Sequence, residues 1–152
     1  MARYKEQLER VRRYYNRFKQ INNGMEQTSP SEEFMDDIYA FFQNCYHLKD
    51  WLINDSAFTR YTESEIEKHI KKTPPLAICA DICNASKHLK LTRIRSGDKP
   101  ILGRRVISLG VTTGGDVPTK IAMQVEFEHD GRTLDAFQVA TDALNSWESF
   151  LS

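Results

Sequence analysis

Apolar residues recur in steps of three and four over the first ninety positions and alternate beyond about position 100, so the chain divides into a helical part and a strand-bearing part. Tyr4, Leu8, Val11, Tyr15 and Phe18 form the first stripe and predict helix one from about Arg3 to about Asn22, closed by Asn23-Gly24. Ser29-Pro30-Ser31-Glu32 combines a cap residue, a proline in the first turn and a carboxylate placed to close a capping box, which opens helix two near Pro30. Its face is Phe34, Ile38, Phe41, Cys45, Leu48 and Leu52, widened by Phe42 and Trp51, and Asn54-Asp55-Ser56 ends it. Thr62-Glu63-Ser64-Glu65 repeats the capping pattern before a short charged helix with Ile66 and Ile70 as its apolar positions. Thr73-Pro74-Pro75 stops that helix and caps the next. Helix four, from about Pro75 to Leu89, buries Ile78, Ile82 and Leu89 beside small residues that admit a close neighbour.

Ser96-Gly97-Asp98-Lys99-Pro100 is a concentrated turn signal, after which Ile107, Leu109 and Val111 alternate. Ile121, Met123, Val125 and Phe127 do the same against Lys120, Gln124, Glu126 and Glu128, which predicts two half-buried antiparallel strands. Thr113-Gly114-Gly115-Asp116 between them reads as a loop, because no Lys-Ser/Thr follows and no helix begins there, as a phosphate cradle requires. Asp130-Gly131 predicts a tight turn into a third strand, through Arg132 to about Leu134. Two signals then compete over residues 135–139. A third strand running on to Val139 is one reading; the other is a closing helix with Asp135 and Gln138 as its cap and Phe137, Ala140, Leu144, Trp147 and Leu151 as its stripe. The helix is the expectation, with Trp147 docked on the body of the domain. The predicted fold class is α+β in a single domain, 1–152: a helical bundle of about four helices over 3–91, then over 92–152 a small antiparallel element of two to three strands and a closing C-terminal helix.

Length and composition fit one folded domain, with 152 residues of which 40% are hydrophobic and 28% charged. No stretch approaches the roughly 20 apolar residues of a membrane span, and the charged segment Met1 to Arg13 lacks the apolar run of a secretory signal. A cytoplasmic protein without membrane contact is expected. Twenty-one basic residues balance twenty-one acidic ones, so any attraction to nucleic acid must be local. The polar face of helix one carries Arg3, Lys5, Arg10, Arg12, Arg13, Arg17 and Lys19 against Glu6 and Glu9, and the next segment is acidic, with Glu26, Glu32, Glu33, Asp36 and Asp37. This pattern reads as two solvated, mutually attractive faces rather than an RNA-binding arm. The three cysteines, Cys45, Cys79 and Cys83, fall inside helical patterns and predict reduced, buried thiols. Cys79 and Cys83 share a helix face, but with His88 they lack a fourth ligand, so neither a metal nor another cofactor is expected.

Candidate chemistry lies on helix four, where Asp81, Asn84 and His88 follow one another at three and four residues beside the apolar seam. His47, Asp50 and Asn54 form a matching row on helix two. The two rows either converge into one pocket holding His47 and His88, or form a polar network that fixes helix register. Lys90, Arg93 and Arg95 follow His88, with Asp98 the one acidic residue between Lys87 and Arg105, and they are candidates for holding phosphate beside an imidazole. Trp51 and Trp147 read as core or near-core anchors, whereas His69 and His129 are expected in solvent.

The segment Cys83-Asn84-Ala85-Ser86-Lys87-His88 resembles the helix-borne R-x4-6-H motif of HEPN domains. Asn84 and His88 match the motif, and Cys83 stands in the place of its arginine. The resemblance covers about residues 3–91 and implies a helical bundle that forms a homodimer. It implies either a metal-independent RNase of a toxin, antiphage or RNA-processing system or an inactive binding module. In the first case His88 is general acid or base on the ribose hydroxyl or leaving oxygen, Asn84 orients it, and Lys90 or Arg93 replaces the missing cation. Lys87 points about 100° away from His88 around the helix and is a poorer substitute. Tyr46-His47-Leu48-Lys49-Asp50-Trp51, Asn84 to Leu89 and the closing Trp147 to Leu151 also resemble segments of small bacterial proteins, a likeness that implies no activity. The competing expectation is a non-catalytic module that docks a partner protein or small ligand through the polar face or a strand edge.

Overall fold

The computed structural model describes residues 2–26, 31–87, 101–110 and 120–152. Among these residues five helices and four strands run in the order α1 (Tyr4–Asn23), β1 (Met25–Glu26), α2 (Ser31–Asn54), α3 (Glu63–Lys72), α4 (Pro74–Lys87), β2 (Ile101–Gly110), β3 (Lys120–His129), β4 (Arg132–Asp135) and α5 (Ala136–Leu151). This is the predicted α+β layout, with the closing helix in place of a longer third strand. The predicted cap at Ser29-Pro30, the turn Ser96 to Pro100, Val111 and the loop Thr113 to Asp116 lie outside the described residues.

The apolar stripes do what their spacing predicts. Leu8, Val11, Phe18 and Ile21 of α1 pack with Phe34, Ile38, Phe41, Phe42, Leu48 and Leu52 of α2 in one buried cluster. Phe18 lies 6.2 Å from Phe41 and 5.4 Å from Phe137 of α5, and Phe42 lies 5.6 Å from Phe127 of β3. These rings join helices and sheet into one core, each pair adding about 0.5–1.5 kcal/mol beyond its buried area. Tyr4 beside Asp55 and Arg17 beside Asp37 show that α1 and α2 are antiparallel. Asp55, in the turn after α2, accepts the Tyr4 N–H at 2.9 Å and the Ala57 N–H at 3.0 Å, so α1 is capped from a distant part of the chain rather than by Arg3. Those N–H groups, Tyr4 foremost, hold the Asp55 carboxyl below its usual range. On α3 the predicted capping box is complete: Thr62 Oγ1 accepts the Glu65 N–H, and the Glu65 carboxylate accepts the Thr62 N–H at 2.7 Å.

α5 closes the bundle. Trp147 is fully buried and donates its indole N–H to the Cys45 carbonyl of α2 at 3.0 Å. Arg12 of α1 grips both carboxylate oxygens of Glu148, at 2.6 and 2.7 Å. His69 of α3, expected in solvent, is instead half-buried against α5: its ring stacks on Phe150 at 4.1 Å, and Nε2 lies 3.2 Å from Ser146 Oγ. The charged composition of α3 hides this docking face. His129 is likewise more enclosed than its place at a hairpin suggests, with its side chain 10% exposed and 3.7 Å from the Asp130 carboxylate.

Burial pushes the His69 pKa below its ordinary 6.5, and the Ser146 contact opposes part of the shift. Between the folded and unfolded values the unfolded chain holds a proton that the folded chain has shed. His69 therefore has no adverse effect above about pH 6.5 and destabilises the fold as pH falls through the lowered value. Thermal melts of the parent between about pH 7.5 and about pH 5, to either side of a free imidazole's titration, are expected to show this loss, and His69→Gln is expected to flatten it. Identical pH profiles for the two proteins would remove His69 as the cause.

In the sheet, β3 is central. β2 pairs antiparallel along one edge, while β1 and β4 share the other, β1 at Ile121 and Lys120 and β4 at Glu126 to His129. Met123, Val125 and Phe127 are buried, as the alternation requires. The β2 register places Ile107 opposite Met123 and Leu102 opposite Phe127, with a shift between Leu102 and Arg105. That bulge breaks the period of two, which is why the strand was legible from Ile107 and not from Ile101. β1 has two residues, too few to carry any period.

Asp130 and Gly131 both have positive φ, 50° and 69°, as a two-residue turn of the twist-matched kind demands. A Cβ on Gly131 would meet nothing within 4 Å, so only backbone strain opposes a side chain there. Gly131→Ala is expected to lower stability by about 1 kcal/mol and Gly131→Asn by less, measured by denaturant titration.

Candidate functional site

α2 and α4 pack side by side, and their polar residues meet along the outer edge of that contact. His47 of α2 is exposed, and its Nε2 lies 3.5 Å from Sγ of Cys83, which is 5% exposed. One turn earlier on α2, Gln43 donates to Ser86 Oγ at 3.0 Å, and Ser86 donates in turn to the Cys83 carbonyl at 2.8 Å. Asn84 is half-buried and lies about 100° around α4 from Cys83, turned away from these anchors. Beneath them Cys45 and Cys79 are free, buried thiols, and burial, then Cys45, pushes the Cys79 thiol well up. Thiols so held are inert packing groups at neutral pH.

Among the described residues the two predicted rows are not joined. His47 reaches α4 but bonds Cys83, not the row of Asp81 and Asn84. Asp81 is fully buried and belongs to the packed seam rather than to an open pocket. Asp50 is exposed and faces a different cleft, lined by Arg3, Trp51, Asn54 and Asp55. It stands three residues beyond His47 on α2. Lys49, between them, pairs with Glu67 of α3 at 2.6 Å. His88, Lys90, Arg93 and Arg95 lie outside the described residues. Among the described residues, no three His, Cys, Asp or Glu side chains are grouped to hold a metal.

Sequence spacing missed Gln43 and Ser86. Gln43 stands four residues before His47, a signal of shared helix face that a search for titratable groups passes over. It also missed how the Trp51 ring, partly exposed, carries the Arg10 guanidinium at 5.5 Å from its centroid.

Fold and site together define an α+β helical-bundle domain with a polar edge between two core helices. Comparison of the chain with protein-family models, curated proteins and solved structures finds no match. No helix among the described residues is long and apolar enough to cross a membrane.

Proposed function

We propose that this chain is a HEPN-like, RNA-directed domain whose working group is His88 and whose site lies at the outer end of the α2–α4 contact. The observation that supports this reading most is the position of Asn84. The α4 residue that the motif pairs with His88 stands half-buried near the end of α4, about 100° around the helix from Cys83, rather than inside the apolar core. Gln43 and Ser86 fix that part of α4 against α2, so Asn84 is presented on a rigid helix.

In this reading His88 takes the proton of a ribose 2′-hydroxyl or gives one to the leaving 5′-oxygen, and Asn84 orients its ring. Lys90 or Arg93 stabilises the charge that develops on the phosphate, the task the motif arginine has elsewhere. No metal takes part. A homodimer places two copies of α4 together, consistent with a domain of bacterial toxin or defence systems.

Cys83 favours a second reading. In the place of a cation this chain has a thiol engaged by His47, and a site short of one positive charge fits a non-catalytic module that binds RNA or a partner protein. Incubation of the purified protein with single-stranded RNA in EDTA separates the two. Cleavage with 2′,3′-cyclic phosphate ends supports the nuclease; intact RNA with a stable complex supports the module.

A further inference from the structure

The arginine face of α1 is built differently from a merely solvated helix side. A cleft there is lined by Arg10, Arg13, Tyr14, Asn16 and Arg17, with no carboxylate among its described lining residues. Two of the guanidinium groups lie over aromatic rings, Arg10 over Trp51 at 5.5 Å and Arg17 over Tyr14 at 5.9 Å. Arg13, between them, is exposed and has no carboxylate partner among the described residues. Arg10 is held by Glu6 at 3.1 Å and Arg17 by Asp37 at 3.2 Å, but both pairs are open to solvent. Such pairs contribute little, so a phosphate can compete for either guanidinium.

From these groups we infer that the Arg10–Arg13–Arg17 face, with Tyr14 and Trp51, is the binding track for single-stranded RNA and leads it to the end of α4. The inference rests on the RNA-directed reading above and names its substrate class and path. Three guanidinium groups meet phosphates, and the two held over Trp51 and Tyr14 present flat cationic planes on which unpaired bases can stack. Bases in a duplex are stacked already and cannot use such platforms, which selects the single strand. The path follows from α2. Trp51, beneath Arg10, and His47, against Cys83, are four residues apart and adjacent on one helix face, about 5–6 Å between Cβ atoms. A strand lying along α1 therefore crosses α2 at Trp51 and His47 and arrives at the Cys83–Ser86 edge of α4.

Fluorescence anisotropy of a short labelled oligoribonucleotide, titrated in EDTA at several salt concentrations, tests this. The parent is expected to bind, and replacing Arg10, Arg13 and Arg17 together by alanine is expected to weaken binding at least about tenfold. The same replacement lowers the slope of log affinity against log salt by about 2, close to 0.7 for each lost phosphate contact. Arg13→Ala alone lowers it by about 0.7, and far-UV circular dichroism verifies that both variants fold. RNA quenches the indole emission of the parent, and Trp51→Phe abolishes the quenching. Unchanged affinity and slope in the folded triple variant would overturn the inference, as would equal binding of a duplex or of polyglutamate. Cleavage is scored separately. If the triple variant loses binding and the parent cleaves nothing, the track stands and the nuclease reading falls. If the triple variant binds and cleaves like the parent, the track falls and the nuclease reading stands.

Discussion

Trp147→Ala is expected to destabilise the domain by about 3–5 kcal/mol, out of the 5–15 kcal/mol typical of a folded domain. The indole is fully enclosed, so truncation removes the largest buried side chain of the bundle and leaves a cavity that rigid helices cannot close. It also leaves the Cys45 carbonyl without the indole N–H that meets it at 3.0 Å. Trp147 further lies 5.5 Å from the His69 ring and 6.0 Å from Phe150, so the loss spreads to the docking of α3 on α5. Trp147→Phe keeps most of the volume and loses the donor, and a smaller loss is expected. Denaturant unfolding measures both. A loss below about 1 kcal/mol for the alanine variant would mean that α5 is not part of the cooperative unit.

His88→Ala is expected to lower metal-free RNA cleavage by about 10²–10⁴-fold, the usual share of a general acid or base. Attack of the 2′-hydroxyl on the neighbouring phosphorus expels the 5′-oxygen, so one proton must leave and one must arrive, and an imidazole does both near neutral pH. Asn84→Ala is expected to act more weakly and in the same direction, because it orients the ring rather than carrying the proton. Both variants should retain the parent's unfolding free energy to within about 1 kcal/mol, since Asn84 is half-buried and makes no described core contact. A large stability loss without an activity difference would instead assign the row Asp81, Asn84 and His88 to holding the bundle together.

Helix existence and order were legible because burial imposes a period. Phe34, Ile38, Phe41, Cys45, Leu48 and Leu52 mark one face of α2, and all six are buried. Capping chemistry was equally readable, since Thr62 with Glu65 and Asp135 with Gln138 act between near neighbours. The cap of α1 was not, because its acceptor, Asp55, is 51 residues away from Tyr4. Long-range placement also decided the histidines. His69 looked solvated on a charged helix, and only the meeting of α3 with α5 gives it Phe150 and Ser146.

The candidate site shows the same division. Spacing identified His47 as a polar residue on the rim of α2, and the structure gives it an α4 partner. Spacing could not say which one. Asp50 instead lines the cleft with Arg3 and Trp51, and helix rotation brings Cys83 rather than Asn84 to His47. The basic face of α1 is legible as solvated and attracted to the acidic segment, as Arg17 with Asp37 shows, but its aromatic partners are not legible. Trp51 is 41 residues from Arg10, and the antiparallel pairing of α1 with α2 brings them together.

Whether this domain acts on RNA through His88, as proposed, is tested most directly by a single-turnover assay. Parent and His88→Ala proteins, both confirmed folded, are mixed in excess with end-labelled single-stranded RNA in EDTA, and product is followed with time. The parent is expected to cleave, leaving 2′,3′-cyclic phosphate ends, and the variant to be slower by about 10²-fold or more. RNA left intact by the parent, or cleaved equally by both proteins, would contradict the account.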